Sequence, residues 1–331
     1  MQSVTQRCYA RIGLIGNPSD GYGGKTLSVI CKNFYAEVTL TKSDQLVIVP
    51  DDYRFSSLRE FARHISADGY YGASRLFRAT INVFAAYVAA QQPSKALTDC
   101  FSVSYQTNIP RMVGLAGSSA LIVATLKALM EFYSIEIDRK VLPSIALQVE
   151  SVELNIGGGL QDRVIQFYEG LVAMDFANAE VVDGYSCGRY QELSTELLPP
   201  LYLAYSDTGG EPTEVFHNNL RERYLAGEAL VVDAMQELVE LTDKALHALE
   251  NAEHDLFSQH MDSNFNIRRS ISRLNPFHIK MIESARSCGV SAKYAGSGGA
   301  IVGVCRDDEM FEKLKQTLGE IGCQVVRPVI A

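Results

Sequence analysis

Two apolar, β-branched stretches, Cys8–Gly16 and Val29–Leu40, flank a segment of turn formers (Asn17, Pro18, Asp20, Gly21, Gly23, Gly24), so the chain opens as strand, loop, strand. Gln45–Val49 reads as a third strand. From Gly69 to Ala90 apolar residues recur at helical spacing (Leu76, Ile81, Phe84, Tyr87, Val88) and no proline intervenes before Pro93, which predicts a long helix. Phe101–Tyr105 alternates as a strand does. Pro110 to Gly117 then reads as a turn, Ser118 to Tyr133 as a helix, and Asp138 to Leu154 as a second helix capped by Asp138. Gly157-Gly158-Gly159 stops that helix, a short one follows over Leu160–Tyr168, and Leu171–Phe176 and Arg189–Leu193 return to strand.

Pro199-Pro200 is the clearest punctuation in the second half, and a domain boundary is expected there, dividing residues 1–198 from 199–331. Beyond it Leu201–Tyr205 is an apolar strand. Leu230, Ala234, Leu238, Leu241, Ala245 and Leu249 mark one face of a helix over Glu228–Leu249. Helices Leu256–Arg269 and Pro276–Ser287, strands Ala292–Ala295 and Ala300–Cys305, helix Asp308–Leu318 and strand Gln324–Pro328 complete the pattern. The mixture of strands and helices predicts an α+β fold rather than a doubly wound sheet.

Composition narrows the class. With 331 residues, 47 % hydrophobic and 21 % charged, the chain is of ordinary globular type and longer than one core usually grows. Its 30 basic and 39 acidic residues give a net charge of -9, which argues against a nucleic-acid backbone as partner. A small phosphorylated ligand remains compatible, since loops and helix N-termini bind phosphate through backbone N–H groups. The seven cysteines are scattered, with no C-x-x-C spacing, as in a reduced, cytoplasmic protein. Met1–Arg7 is polar and no apolar run reaches membrane-spanning length, so neither export nor anchoring is expected.

Gly114-Leu115-Ala116-Gly117-Ser118-Ser119-Ala120 runs into an apolar helix, a shape suited to an anion because a tight glycine turn converges N–H groups on a positive helix end. It lacks the lysine of a P-loop and does not match G-x-G-x-x-G, which removes the Rossmann dehydrogenase reading. Taken alone it could simply cap a helix. Glu150, Glu153 and Asp162 surround the triple glycine. Asp162 stands out because it lies in the apolar stretch Leu160–Val172, where a carboxylate needs a partner or a task. Two further strand-and-turn segments, Arg11–Asp20 and Lys293–Ala300, would each pass as a hairpin in isolation.

Together, and in this order, these segments resemble the galactokinase, homoserine kinase, mevalonate kinase and phosphomevalonate kinase (GHMP) superfamily, with most likeness to its glucuronokinase branch. The likeness includes Gly69-Tyr70-Tyr71-Gly72, Gly159-Leu160-Gln161-Asp162-Arg163, Asn264-Phe265-Asn266-Ile267-Arg268-Arg269 and the turn Gly296, Ser297, Gly298. It implies a ribosomal-protein S5 domain 2-like N-terminal domain, a ferredoxin-like C-terminal domain and an active site between them. It implies that Gly114–Ala120 wraps the ATP phosphates, that Ser119 and Glu150 hold magnesium, and that Asp162 faces the acceptor hydroxyl, with Arg11 keeping that acid ionised. Asn17, Asp20 and the Gly296–Gly298 turn are expected on the sugar side. The loop has one residue more than the usual Gly-Leu-Gly-Ser-Ser-Ala, which leaves Ser118 competing with Ser119 and Glu153 with Glu150. The expected activity is ATP-dependent phosphorylation of an anomeric hydroxyl, with glucuronate as first acceptor. The alternatives are a heptose derivative, a neutral hexose, or a sensor without turnover, which the presence of both Glu150 and Asp162 disfavours. Arg75, Arg78 and Arg111 are candidates for a substrate carboxylate, against a plain surface role. Asn33, Tyr35 and Tyr105 are candidates for the adenine, against core packing for the tyrosines.

Overall fold

The computed structural model describes residues 2–49, 53–68, 70, 74–206 and 220–330. The first half contributes β1 (Ser3–Ile15), β2 (Lys25–Ser43), β3 (Leu46–Ile48), β4 (Tyr53–Phe55), α1 (Leu58–Asp68), α2 (Arg75–Gln91), β5 (Cys100–Thr107), α3 (Gly117–Tyr133), α4 (Leu142–Gln148), α5 (Gln161–Tyr168), β6 (Leu171–Val182) and β7 (Tyr185–Leu193). The second half contributes β8 (Leu201–Tyr205), α6 (Ala229–Glu250), α7 (His254–Ile271), α8 (Pro276–Ser287), β9 (Lys293–Tyr294), β10 (Ala300–Val304), α9 (Asp308–Gly319) and β11 (Gln324–Val326). The fold is α+β, as expected.

The long strand β2 organises the first sheet. One of its edges pairs antiparallel with β1; the other pairs with β5 over Ala36–Ser43 and with β6 over Lys25–Val29. Among the described residues the sheet order is β4-β3-β5-β2-β6-β7, with β1 on β2. β1 starts before Cys8 because its polar first residues are held by cross-strand pairs, Thr5 with Thr39 and Arg7 with Glu37. From Ala10 to Ile15 every residue is buried, which makes Arg11 a cation inside the molecule.

The second sheet runs β11-β8-β10-β9. Strand β8 is buried on both faces, and its alternation feeds two cores. Leu201, Leu203 and Tyr205 join the large core shared with the first sheet, while Tyr202 and Ala204 join a smaller one with Met281, Ile282 and Leu314. The second half therefore packs against the first through an apolar strand face rather than a linker.

Several elements depart from the expectations. Helix α1 was absent from them. Residues 69 and 71–73 lie outside the described residues, so the Gly69–Gly72 motif is described only at Tyr70, and the helix expected from Gly69 is α2 from Arg75. The helix expected over Asp138–Leu154 is shorter. Asp138 closes a turn through its carbonyl, which accepts from Val141 N–H, α4 begins at Leu142, and the chain widens into a π-helical turn over Val149–Glu153. On α6 Leu230 is 54 % exposed and the buried face starts at Val231, one residue later. No helix among the described residues is long and apolar enough to cross a membrane.

Leu203 is fully buried where the two halves meet. Leu203→Ala is expected to cost about 2–5 kcal/mol, read as a lower urea midpoint, whereas Leu230→Ala should change stability by no more than about 0.5 kcal/mol.

Candidate active site

Arg11, on β1, is 6 % exposed, and its guanidinium reaches three other segments. Nε donates to Asp162 Oδ1 at 2.8 Å, Nη2 lies 2.7 Å from the same oxygen, and Nη1 donates to Gly114 O at 3.0 Å and to Ala295 O. Strand β1, helix α5, the glycine–serine loop and the exit of β9 thus converge on one cation. Asp162 lies in the first turn of α5, where the helix dipole favours an anion, and its side chain stays 22 % exposed, open to a ligand.

The loop is shaped to approach that point. Met112, Gly114 and Ala116 all have left-handed backbone, and the carbonyls of Gly114, Leu115 and Ala116 turn inward. They accept from the Arg11 guanidinium, from Arg11 N–H and from Gln166 Nε2 respectively. The first turn of α3 keeps N–H groups without partners in its own helix, as an anion site requires. Glycines 114 and 296 permit close backbone contact here. A Cβ on Gly296 would overlap Gly114 O, and one on Gly114 would press on the backbone of Ser297 and Gly298.

Ser118, not Ser119, meets Glu150: its exposed hydroxyl donates to Glu150 Oε1 at 2.9 Å. Ser119 is buried and its hydroxyl returns to Ala116 O at 3.1 Å. The extra loop residue is absorbed as a left-handed turn at Ala116, and one residue of helix rotates a side chain by roughly 100°, which exchanges the two serines. Glu150 sits in the π-helical turn, buried, with Oε2 paired to Arg163. Glu153 is held elsewhere, by Tyr70 OH and Asn82 Nδ2. The Ser118 hydroxyl and Glu150 carboxylate are hard oxygens that suit magnesium. Among the described residues no cluster of three acidic, His or Cys groups placed to hold a metal ion is present.

Asp20 lies against Gly159 and accepts from Gln161 N–H. Asn17 is buried, its Oδ1 taken by Lys293 Nζ and its carbonyl by Asn264 Nδ2, so it anchors the loop that presents Asp20. Arg268 donates to Gly296 O at 2.6 Å and Ser297 O at 3.0 Å, fixing the second glycine turn. Burial pushes both Arg268 and Arg163 down to about 10. Lys293, Arg268, Asn264 and Arg163 were visible in the sequence only as motif neighbours. Lys293 carried one further signal, a charge inside an apolar strand. Arg75 and Arg111 are exposed, and Arg78 is buried beside Tyr70. Asn33 binds the C-terminal segment at Arg327 O and Val329 N–H, and Tyr105 packs on Phe77.

Burial, reinforced by the charge of Asp162, pushes the Asp20 carboxyl up from 3.8 to about 6, against the pull of Arg11, Arg163 and Gln161 N–H. A carboxyl raised on folding holds its proton more tightly in the folded state, so stability falls as pH rises from 3.8 to about 6 and the cost persists at pH 7. Asp20→Asn, which cannot ionise, should raise the urea midpoint at pH 7 and change it little near pH 4.

Residues 76–170 match the family model described as the GHMP kinases N terminal domain. The chain is 40 % identical over 321 residues to glucuronokinase 1 of Arabidopsis thaliana, a match covering 94 % of this chain and 88 % of that protein. It is 39 % identical over 334 residues to probable glucuronokinase 2 of the same organism, covering 98 % and 90 %. Galactokinase of Lactococcus lactis, solved in complex with galactose, shares the fold at a TM-score of 0.81 and 14 % identity, over 99 % of this chain and 94 % of that one. Similarity at this level, sustained along nearly the whole chain, means that the protein belongs to the GHMP kinase family.

Proposed function

We propose that the protein transfers the γ-phosphoryl group of ATP to the anomeric hydroxyl of a sugar, with glucuronate as the acceptor. The observation that carries this reading is the buried Arg11–Asp162 pair, held by the same guanidinium against Gly114 at the start of the phosphate-shaped loop. Two relatives that match along most of the chain bear the name glucuronokinase, which supports the choice of acceptor. In this reading residues 1–198 grip the nucleotide and residues 199–331 close the acceptor side.

Arg11 holds Asp162 through Oδ1, so Oδ2, with Arg163 Nη1 only 3.8 Å away, is the oxygen that meets an acceptor hydroxyl. Asp162 takes the hydroxyl proton, the freed oxygen bonds to the γ-phosphorus, and the bridging P–O bond to ADP breaks. The N–H groups opening α3 receive phosphate oxygens, and Ser118 with Glu150 supplies the protein ligands for magnesium. When bound, that ion neutralises charge on the phosphates. Phosphoryl transfer has a loose transition state, so alignment matters most and can contribute about 7–11 kcal/mol. The Asn17–Asp20 loop and the Gly296 turn border the acceptor.

ADP release against a panel of glucuronate, glucose and a heptose phosphate, with phosphorus NMR of the product, tests the reading: turnover with phosphate on the anomeric oxygen is expected. Ligand binding without ADP formation would instead mark a sensor. Asp162→Asn should lower kcat by about 10²–10⁴-fold while leaving ATP binding nearly unchanged, and a variant with wild-type turnover removes Asp162 from the proton-transfer role.

A further inference from the structure

Residues 157–159 form a strap of three glycines that the mechanism above leaves unexplained. It lies against Arg163, which sits in the first turn of α5 and is 4 % exposed. A Cβ on Gly158 would stand 3.2 Å from both Nη1 and Nη2, and one on Gly159 would overlap Asp20 Oδ2. Bare backbone thus approaches both the guanidinium and that acid.

The guanidinium stands among three carboxylates. On the phosphate side Nη2 pairs with Glu150 Oε2. On the acceptor side Nη1 donates to Gly159 O at 2.6 Å and lies 3.8 Å from Asp162 Oδ2, about 1 Å beyond a charge-assisted hydrogen bond. Its charge also acts on Asp20, opposing the burial that raises that carboxyl. Nε is buried with no partner among the described residues. Arg11 differs, because Asp162, Gly114 O and Ala295 O take up all three of its nitrogens. Arg11 is locked, whereas Arg163 holds one acid closely and has a second just out of reach.

Two sides of the site therefore compete for one cation. Glu150 holds it by contact, yet Glu150 is also the acid assigned to magnesium. A divalent cation on that carboxylate would draw on the same negative charge and repel the guanidinium, whose nearest other anions are Asp162 and Asp20. A second cation beside these neighbouring acids lets both stay ionised, and a carboxylate oxygen has lone pairs for both an arginine and a sugar hydroxyl.

We propose that Arg163 couples the nucleotide side to the acceptor side: magnesium–nucleotide on Glu150 releases the guanidinium toward Asp162 Oδ2 and Asp20, which readies those acids for acceptor hydroxyls. Arg163 is too buried to touch substrate, so it acts as a positioning residue. The inference rests on the sugar-kinase reading and adds a regulation of the same site. By linkage the acceptor tightens the nucleotide by the same factor, and such couplings are typically about 5–150-fold.

Calorimetric titration of D-glucuronate, with and without a nonhydrolysable ATP analogue and magnesium, reads the coupling as a ratio of two Kd values. The wild type should bind the sugar about tenfold tighter, or more, once the analogue is bound. Arg163→Gln should bring the two Kd values within about twofold of each other. Arg163→Lys keeps a charge for Glu150 but replaces the planar fork with a single ammonium. It should lose most of the coupling, and it decides alone if Arg163→Gln does not fold. A merely structural Arg163 would change both Kd values by one factor, so a folded variant that keeps the wild-type ratio overturns the inference. A wild type whose sugar Kd ignores the analogue does the same, and either result leaves the kinase reading intact. Wild-type protein that binds no glucuronate overturns the choice of acceptor itself, and the inference with it.

Discussion

A guanidinium buried at Arg11 constrains everything around it. Hidden from water, it requires a counter-charge and acceptors for its N–H groups, and the structure supplies Asp162, Gly114 O and Ala295 O. Removing one partner of such a buried pair typically costs about 3–5 kcal/mol, because the other charge is stranded. The carbonyls of residues 114 and 295 can both reach Nη1 only because their glycine turns touch backbone to backbone. One interaction therefore closes the two halves of the protein and aligns the acid with the loop.

Around this centre the charges form a graded series. Glu150 is paired with Arg163 and linked to Ser118, Asp162 is held closely by Arg11 on one oxygen and has Arg163 at 3.8 Å from the other, and Asp20 is partly buried with a raised pKa. The arrangement separates tasks among three carboxylates. One is ion-paired beside the phosphate loop, one is held by Arg11 at the acceptor, and one can carry a proton at mildly acidic pH. The π-helical turn places Glu150 opposite the loop while Tyr70 and Asn82 hold Glu153 aside.

Much of the fold was legible in local pattern. β8 and α8 match their expected bounds because proline opens or precedes each and the apolar runs are short and unambiguous. Helix α1 carried its own signal, Ser57 and Glu60 at capping-box spacing, with Ser57 Oγ accepting from Glu60 N–H, but its apolar positions are few and amid charges. The Arg11–Asp162 contact spans 151 positions of sequence, and no periodicity encodes it; the family resemblance supplied it. The choice of Ser118 turned on the left-handed backbone at Ala116, a conformation alanine rarely takes. Lys293 showed in the sequence only as a charge inside an apolar strand, and its partners Gly13 and Asn17 lie 280 and 276 positions away.

The central claim is that Arg11 and Asp162 act as one unit in catalysis. A double-mutant cycle on kcat, with Arg11→Gln, Asp162→Asn and the double variant in folded protein, tests it most directly. The account expects the double variant to be no slower than the slower single variant, within about threefold. Losses that multiply would show two independent residues and contradict it.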